Sequence, residues 1–262
     1  GVALRDVQFS PTGKLIGTCG ADEVVRVHRA EDGETLRRFD GPGSKTGGLA
    51  WAPNGRFLAA LSGGGAKVAV WDVQTGSRLF RIGNVGFQGR GLVWSPDGKW
   101  LATTSGTALK LWNGGDGSPG PDFRQSCSAV DWNATGRYLV ANNFRKTIVI
   151  DGKTQQVMRV FDHHHAGVRS IAMDPAGRYL ASSSIDQTLH LWDIDRGCLL
   201  WIAVFLDEGR TVVFSPTGEL LYSAPGAEEQ FAYLVERAEN PGRLETLSAD
   251  QFERLCSGKP GN

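Results

Sequence analysis

One short phrase recurs six times along this chain, and its spacing constrains the fold more than any other feature. The copies are FSPTGK (9–14), WAPNGR (51–56), WSPDGK (94–99), WNATGR (132–137), MDPAGR (173–178) and FSPTGE (214–219). Successive glycines of the phrase stand 38 to 43 residues apart. A fixed period of this length is typical of architectures in which each repeat is one supersecondary unit that packs on its neighbours. The spacing therefore predicts six tandem units.

Each phrase has the residues of a strand that ends in a tight turn. An apolar or aromatic residue closes the strand, proline presets φ, a short polar side chain supports the turn, and glycine takes the positive-φ position. A second strand follows at once, as in RFLAALS and KWLATTS. A third strand ends 14 to 16 residues after the glycine, and a polar turn leads into a fourth strand such as RLFRIG. Four short strands per repeat correspond to one propeller blade.

The ends of the third strands carry a resemblance to a known family. They read Trp71-Asp72, Trp112-Asn113 and Trp192-Asp193, and together with the SPDG-like turns they make the chain similar to WD-repeat β-propellers. The repeat at 163–193 follows the family pattern most fully. Other repeats depart from it, with His28-Arg29, Ile150-Asp151 and Tyr233-Leu234 in place of Trp-Asp.

The resemblance implies an all-β β-propeller of four-stranded antiparallel sheets, and the six visible repeats predict that it has six blades. We expect one propeller domain over residues 1–247 and a C-terminal tail over 248–262. The family most often closes with seven blades, and this alternative stays open. Six is favoured because the six repeats are in phase, each beginning with its innermost strand. The last repeat, FAYLVERAENPGRLETLSADQF, loosely resembles the closing repeat of multidomain bacterial WD-repeat proteins.

Composition limits the partners and the compartment. Lys and Arg total 28 and Asp and Glu total 28, so the overall field favours neither nucleic acid nor an anionic membrane. No apolar run is long enough to span a bilayer, and the first residues lack the features of a signal peptide. The four cysteines, Cys19, Cys127, Cys198 and Cys256, stand far apart without metal-binding spacing. These observations favour a reduced, cytoplasmic protein without a cofactor.

The WD-repeat resemblance also implies a structural hydrogen-bond tetrad in the fifth repeat. Its members are His164 in the loop before the first strand, Ser182 on the second, Asp186 in the following turn and Trp192 on the third. Serine, histidine and aspartate together could also indicate a nucleophilic triad. We favour the structural interpretation, in which Asp186 and Ser182 orient a histidine that ties the loop to the blade, because nothing in the sequence supplies an oxyanion hole.

Two further segments could suggest a metal. The run His163-His164-His165 is not supported by other ligands at suitable spacing, and we predict no metal there. The segment NGGDGSPGPDF (113–123) lacks the ligand alternation of a calcium loop. Its many glycines and prolines predict a mobile surface loop instead.

An arginine recurs eight residues before the turn glycine. The six positions hold Arg5, Gly47, Arg90, Ser128, Arg169 and Arg210. In a propeller this is the start of the innermost strand, so the four arginines would form an incomplete basic ring at the mouth of the central channel. Arginine suits bidentate contact with carboxylates and phosphates. The alternative is four solvated side chains that pair with nearby acids such as Asp6, Asp207 or Glu208.

The sequence therefore predicts a non-catalytic protein-interaction platform, as a monomeric domain of a longer regulatory chain. The expected partner is a protein or an acidic or phosphorylated peptide on the top face, and not nucleic acid or membrane. The alternative is a propeller enzyme, or a periplasmic propeller of another family. An enzyme would need acids, histidines or metal ligands from several blades at the channel, whereas the five histidines come from only two blades.

Overall fold

A computed structural model describes residues 3–43, 46–62, 67–83, 85–86, 91–105, 108–124, 127–225, 227, 232–236 and 244–248. The chain forms two compact units, one of residues 1–186 with 193–197 and the other of residues 187–192 with 198–262. These units do not test the predicted division into a propeller domain over 1–247 and a tail over 248–262, which stays a prediction.

The first unit begins with two four-stranded antiparallel sheets, each built from strands that are consecutive in sequence. We call them blades 1 and 2. Blade 1 contains β1 (Leu4–Phe9), β2 (Leu15–Gly20), β3 (Val24–Arg29) and β4 (Thr35–Asp40). Blade 2 contains β5 (Thr46–Trp51), β6 (Phe57–Ser62), β7 (Lys67–Asp72) and β8 (Arg78–Gly83).

Blades 3 and 4 repeat this arrangement. Blade 3 contains β9 (Leu92–Trp94), β10 (Trp100–Thr104), β11 (Leu109–Asn113) and β12 (Pro119–Phe123). Blade 4 contains β13 (Val130–Trp132), β14 (Tyr138–Asn143), β15 (Lys146–Asp151) and β16 (Val157–Asp162). The unit continues with the antiparallel pair β17 (Val168–Met173) and β18 (Tyr179–Ser184) of the fifth repeat.

The repeated phrase forms the turn between the first and second strands, as the sequence predicts. In blade 2, Gly55 has φ +66° and its N–H donates to the Ala52 carbonyl at 2.9 Å. In blade 3, Gly98 has φ +71° and donates to Ser95 at 2.8 Å. These left-handed conformations favour glycine because it lacks a Cβ. The phrase thus fixes where each second strand begins.

The acid that follows the third-strand tryptophan supports the next turn. The Asp72 carboxylate accepts the backbone N–H groups of Gln74 at 2.9 Å and Thr75 at 3.2 Å. It also accepts a hydrogen bond from Arg56, and this hydrogen bond lowers the pKa of Asp72. The aspartate of the Trp-Asp pair is therefore a turn residue, which explains its place in the repeat.

Apolar side chains fill the space between neighbouring sheets. Phe39 of blade 1 stacks on Trp71 of blade 2, with ring centroids 5.2 Å apart and an interplanar angle of 18°. Equivalent clusters join blade 2 to blade 3 and blade 3 to blade 4. The core of this unit is therefore a series of layers, each shared by two adjacent blades.

In blades 2 and 3, a tryptophan at the end of the inner strand joins the blade to the one before it. Trp51 Nε1 donates to the Gln8 carbonyl at 3.1 Å, and Trp94 Nε1 donates to the Ala50 carbonyl at 3.2 Å. Their side chains are 8% and 5% exposed. Phe9 occupies the same repeat position in blade 1 and is 63% exposed. This repeat position is therefore buried in blades 2 and 3 and exposed in blade 1.

The second unit starts with β19 (Thr188–Asp193) and β20 (Cys198–Phe205). The last residue of β19, Asp193, is assigned to the first unit. A short 3₁₀ turn (Asp207–Gly209) leads to β21 (Thr211–Phe214) and β22 (Leu220–Ser223), and these four strands are successive neighbours in one sheet. The hairpin of β23 (Ala232–Glu236) and β24 (Leu244–Ser248) forms a two-stranded sheet of its own.

The sixth repeat thus departs from the four-stranded pattern. Its first two strands continue the sheet of β20, with Ala203 opposite Val213 and Val204 opposite Val212. β20 has eight residues, whereas β4, β8 and β16 have six. Its apolar sequence, CLLWIAVF, pairs with a further strand along its free edge. Pairing with that edge satisfies the backbone groups of β21.

The prediction of a mobile loop over residues 113–123 is wrong. Asn113 ends β11, and Pro119–Phe123 form β12, the outer strand of blade 3, with Leu109 opposite Phe123. An ion pair between Lys110 and Asp122 at 3.6 Å adds to this pairing. Prolines are tolerated on an edge strand because their missing N–H groups can face the unpaired side. The glycine and proline content misled the sequence interpretation.

We predict that Trp51→Ala lowers the free energy of unfolding by about 3–5 kcal/mol, because it removes a buried indole and its hydrogen bond to blade 1. Phe9→Ala is the matched control at the same repeat position, and it should cost less than about 1 kcal/mol because Phe9 is exposed. Urea denaturation measures both variants. Equal losses would contradict the burial difference between the two positions.

Candidate functional site

A chain of buried polar side chains lies in the fifth repeat. His164 Nδ1 is 3.1 Å from Asp186 Oδ2, and His164 Nε2 is 2.9 Å from Ser182 Oγ. The Asp186 carboxylate also accepts the backbone N–H of His165 at 2.8 Å. Three of the four residues predicted as a tetrad therefore lie within hydrogen-bonding distance of one another. The loop before β17 is thereby joined to the end of β18.

Trp192, the fourth predicted member, belongs to the second unit. Its ring is buried and meets His190 edge-on, with centroids 5.6 Å apart and an interplanar angle of 60°. His190 Nε2 lies 3.1 Å from the Thr188 hydroxyl. This part of β19 is thus a polar and aromatic cluster in its own right.

The order Ser182–His164–Asp186 resembles a nucleophilic triad, but its burial opposes that chemistry. Ser182 is 0% exposed and His164 is 4% exposed. A substrate carbonyl would have to reach the Ser182 hydroxyl through the packed blade. Buried polar groups are costly to leave unpaired, so the same hydrogen bonds have a clear stabilising role.

Two other blades contain a related bond that the sequence analysis missed. Trp112 Nε1 donates to Thr103 Oγ1 at 2.9 Å in blade 3. In blade 1, Thr18 Oγ1 is 3.1 Å from His28 Nε2. The signal was a hydroxyl residue five positions after the turn glycine, which Thr18, Thr103 and Ser182 share. Histidine in blade 1 thus keeps a polar contact at the position of the tryptophan.

The inner strands of the first unit enclose a cavity of about 430 Å³. Small residues contribute much of its wall, and the lining includes Gly47, Gly48, Gly91, Ser128, Ala129 and Ser170. Arg5 and Asp6 line it from blade 1. The Asp6 carboxylate accepts the N–H groups of Val7 at 2.8 Å and Leu49 at 2.7 Å, so it is already bound to backbone. Arg5 is the cationic side chain of this lining.

The structure places the four predicted arginines in different settings. Arg5 and Arg169 are exposed in the first unit, on β1 and on β17. Arg210 belongs to the second unit and donates to Glu208 at 2.6 Å, which is the acid pairing considered as the alternative for this set. Arg90 lies outside the described residues. The proposed basic ring therefore has two exposed members within the first unit.

Burial also governs the titratable groups inside the blades, and it raises the pKa of the Asp131 carboxyl. Burial raises the pKa of the Cys127 thiol to about 12, and mainly burial raises that of Cys19 to about 11, which suppresses thiolate chemistry. Both ring nitrogens of His164 face protein partners. Over the described ranges, no group of three or more His, Cys, Asp or Glu side chains is arranged to hold a metal ion. No helix of that part is long and apolar enough to cross a membrane.

Comparison with known proteins gives the family. The model of the WD domain, G-beta repeat, matches residues 88–113 and 155–193, and the model of the anaphase-promoting complex subunit 4 WD40 domain matches residues 7–86. Together they cover more than half of the chain. The β-propeller domain of Cps50 (Swd1) from Myceliophteria thermophila is similar in structure, with a TM-score of 0.65 at 16% identity over 96% of this chain and 94% of that one. This chain is a WD40-repeat β-propeller, which confirms the predicted fold class.

Curated relatives match this chain over part of their own length. Human WD repeat-containing protein 36 is 33% identical over 73 residues, which are 28% of this chain and 8% of that protein. THO complex subunit 3 of Arabidopsis thaliana is 25% identical over 229 residues, 84% of this chain and 73% of that protein. Yeast U3 small nucleolar RNA-associated protein 21 is 34% identical over 110 residues, 42% of this chain and 12% of that protein. These relatives are eukaryotic, so the resemblance to bacterial multidomain proteins stays a prediction.

We predict that Ser182→Ala lowers the free energy of unfolding by about 1–3 kcal/mol, because it leaves a buried ring nitrogen of His164 without this partner. Ser170→Ala, at an exposed serine on the neighbouring strand, is the control and should change stability little. A serine-directed phosphonate should leave Ser182 of the parent protein unlabelled. A covalent adduct on Ser182 would contradict the structural interpretation.

Proposed function

We propose that this chain is a non-catalytic interaction platform that binds a protein, through an acidic or phosphorylated segment, at the end of the blades where the inner strands begin. The observation that carries the proposal is the contrast between two polar sets. The set that could support catalysis is buried around Ser182, whereas Arg5 and Arg169 are exposed at the starts of inner strands. Binding chemistry is accessible there, and nucleophilic chemistry is not.

The electrostatic setting of these arginines favours an anionic partner. Among the described residues, no carboxylate forms a salt bridge with Arg5 or with Arg169. Asp6, the acid next to Arg5, is bound to two backbone N–H groups. An incoming carboxylate or phosphate would therefore meet guanidinium groups that form no salt bridge within the described part of the chain. Each such contact contributes roughly 1.5–3 kcal/mol when water is excluded and less when the site stays wet.

Membership in a longer chain and a cytoplasmic location are part of the same proposal. The matched residues span about a tenth of the human and yeast relatives, which are longer proteins. Cys19 and Cys127 are free thiols in the blade interior and Cys198 is a free, exposed thiol, which is compatible with a reducing compartment. A monomeric module that recruits a partner for a larger regulatory protein fits both observations.

Nucleic acid is the second candidate because of the names of relatives. One relative is the mouse WD repeat and HMG-box DNA-binding protein 1, 30% identical over 128 residues, 48% of this chain and 11% of that protein. Binding to nucleic acid should fall steeply as salt is raised, because it releases condensed counterions. The balanced count of 28 basic and 28 acidic residues opposes such binding, and we expect labelled RNA and DNA to show no salt-dependent anisotropy change.

The test is a peptide array of acidic, phosphorylated, neutral and basic sequences. We predict that the parent protein retains acidic and phosphorylated peptides, and that Arg5→Glu with Arg169→Glu weakens this binding by about tenfold or more. The control pair, Lys14→Glu with Lys99→Glu, makes the same change in net charge beside the turn glycines at the opposite end of the blades. Equal binding by the parent and the arginine variant would contradict the proposed site.

A further inference from the structure

Phe144 combines two features that the fold alone does not require. It lies in the two-residue turn between β14 and β15, where Asn143 pairs with Lys146, and its φ is +50°. Its side chain is 70% exposed. A bulky residue in the left-handed region is strained, and turns of this kind favour glycine, asparagine or aspartate. A strained aromatic side chain in solvent suggests a role outside folding.

Other turns with a non-glycine residue at positive φ carry polar side chains. Glu23 has φ +62° in the turn between β2 and β3, and Gln187 has φ +66° before β19. Glutamate and glutamine are polar, and polar side chains are usual in exposed turns. Phe144 therefore replaces a polar residue type with an aromatic one at a position where no core is formed.

A second exposed apolar residue lies beside Phe144. Ile185 follows β18, is 54% exposed, and donates its backbone N–H to the Gly167 carbonyl at 3.1 Å. The Val168 N–H donates to the Phe144 carbonyl at 2.7 Å, so both turns meet the segment 167–168. A Cβ at Gly167 would lie 3.5 Å from the Ile185 side chain and 3.8 Å from the Phe144 ring. Phe144 and Ile185 thus flank one glycine.

Two arginines are sequence neighbours of residues that form this site. Arg145 follows Phe144, Arg169 follows Val168, and both are exposed. Across the described part of the chain, neither has a carboxylate partner. The nearby acids are already engaged, since Asp162 pairs with Lys146 at 2.8 Å and Asp186 lies 3.1 Å from His164. Arg145 also acts electrostatically on Asp162, but within the described residues neither arginine forms a salt bridge, so both guanidinium groups can bind an anionic ligand.

We propose that Phe144 and Ile185, with Arg145 and Arg169, form a docking site for a short peptide segment in which one apolar side chain stands among acidic residues. This inference rests on the proposed function and adds an apolar contact to the charged contacts of that proposal. The apolar pair would contact the peptide's aromatic or aliphatic side chain, and the two arginines would bind its carboxylates. Apolar contact beside charge-assisted contact gives both affinity and register.

An anionic membrane is the competing ligand for an apolar and basic surface. The observations favour a peptide, because two apolar side chains match the size of one anchor residue. A membrane site requires a broader basic field, whereas this chain has as many acidic as basic residues. Membrane binding is therefore one outcome that the test must separate.

The probes are three fluorescein-labelled peptides that share one backbone. The first has glutamates around a central phenylalanine, the second has alanine at the centre, and the third has glutamine in place of each glutamate. We expect the first to bind the whole chain about tenfold more tightly than either of the others, as measured by fluorescence anisotropy. Vesicles of phosphatidylcholine with phosphatidylserine should not bind.

Phe144→Asn is the decisive variant, because asparagine is tolerated at positive φ and the change relieves backbone strain. It should weaken binding of the first peptide by about tenfold while the melting temperature stays equal or rises. Ile185→Ser should weaken the same peptide in the same way. Leu79→Ser, at an exposed apolar residue of β8, is the matched control and should leave binding unchanged.

Three outcomes would overturn the inference. If the phenylalanine and alanine peptides bind equally well, or if Phe144→Asn leaves binding intact, the apolar pair does not contribute to binding. The proposed binding of acidic peptides would still stand. If vesicles bind and Phe144→Asn abolishes that binding, the surface recognises membranes. If none of the acidic peptides binds, the proposed function fails together with this inference.

Discussion

The structure depends on the burial of one sheet against the next. Each blade is too small to bury its own apolar faces, so a contact such as the stack of Phe39 on Trp71 serves two blades at once. The indoles of Trp51 and Trp94 add a hydrogen bond across the same layer, to backbone carbonyls of the preceding inner strand. These layers bring the inner strands of the first unit around one cavity, and exposed arginines stand at the starts of two of those strands.

Polar contacts within the blades vary around this apolar frame. In blades 1 and 3, the hydroxyl residue five positions after the turn glycine contacts the ring on the third strand, as Thr103 does with Trp112. Blades 2 and 4 have Ala60 and Ala141 at that position, both fully buried. Ser182 occupies the same repeat position, and its hydroxyl lies 2.9 Å from His164 Nε2. The apparent triad is thus explained as an extended form of a contact that occurs elsewhere in the chain.

The sequence predicts the repeated elements well because their signals are local. A turn glycine with positive φ and a proline before it place the second strand within a residue or two. Pairings between strands that are not linked by such a turn cannot be predicted from local signals. The strand at Pro119–Phe123 depends on pairing with β11, and the attachment of β21 to β20 depends on which edge is available. The sequence does not indicate a role for Phe144, because its positive φ and its exposure arise only in the folded turn.

The central claim is that this propeller binds an acidic partner at the end where its inner strands begin, while the buried histidine network stays inert. Nuclear magnetic resonance of the ¹⁵N-labelled chain, titrated with an acidic peptide, tests it most directly. We predict that amide shifts change at Arg5, Phe144, Ile185 and Arg169 and stay constant at the turn glycines Gly13, Gly55 and Gly98. Shifts confined to those glycine turns, or no shifts at all, would contradict the account.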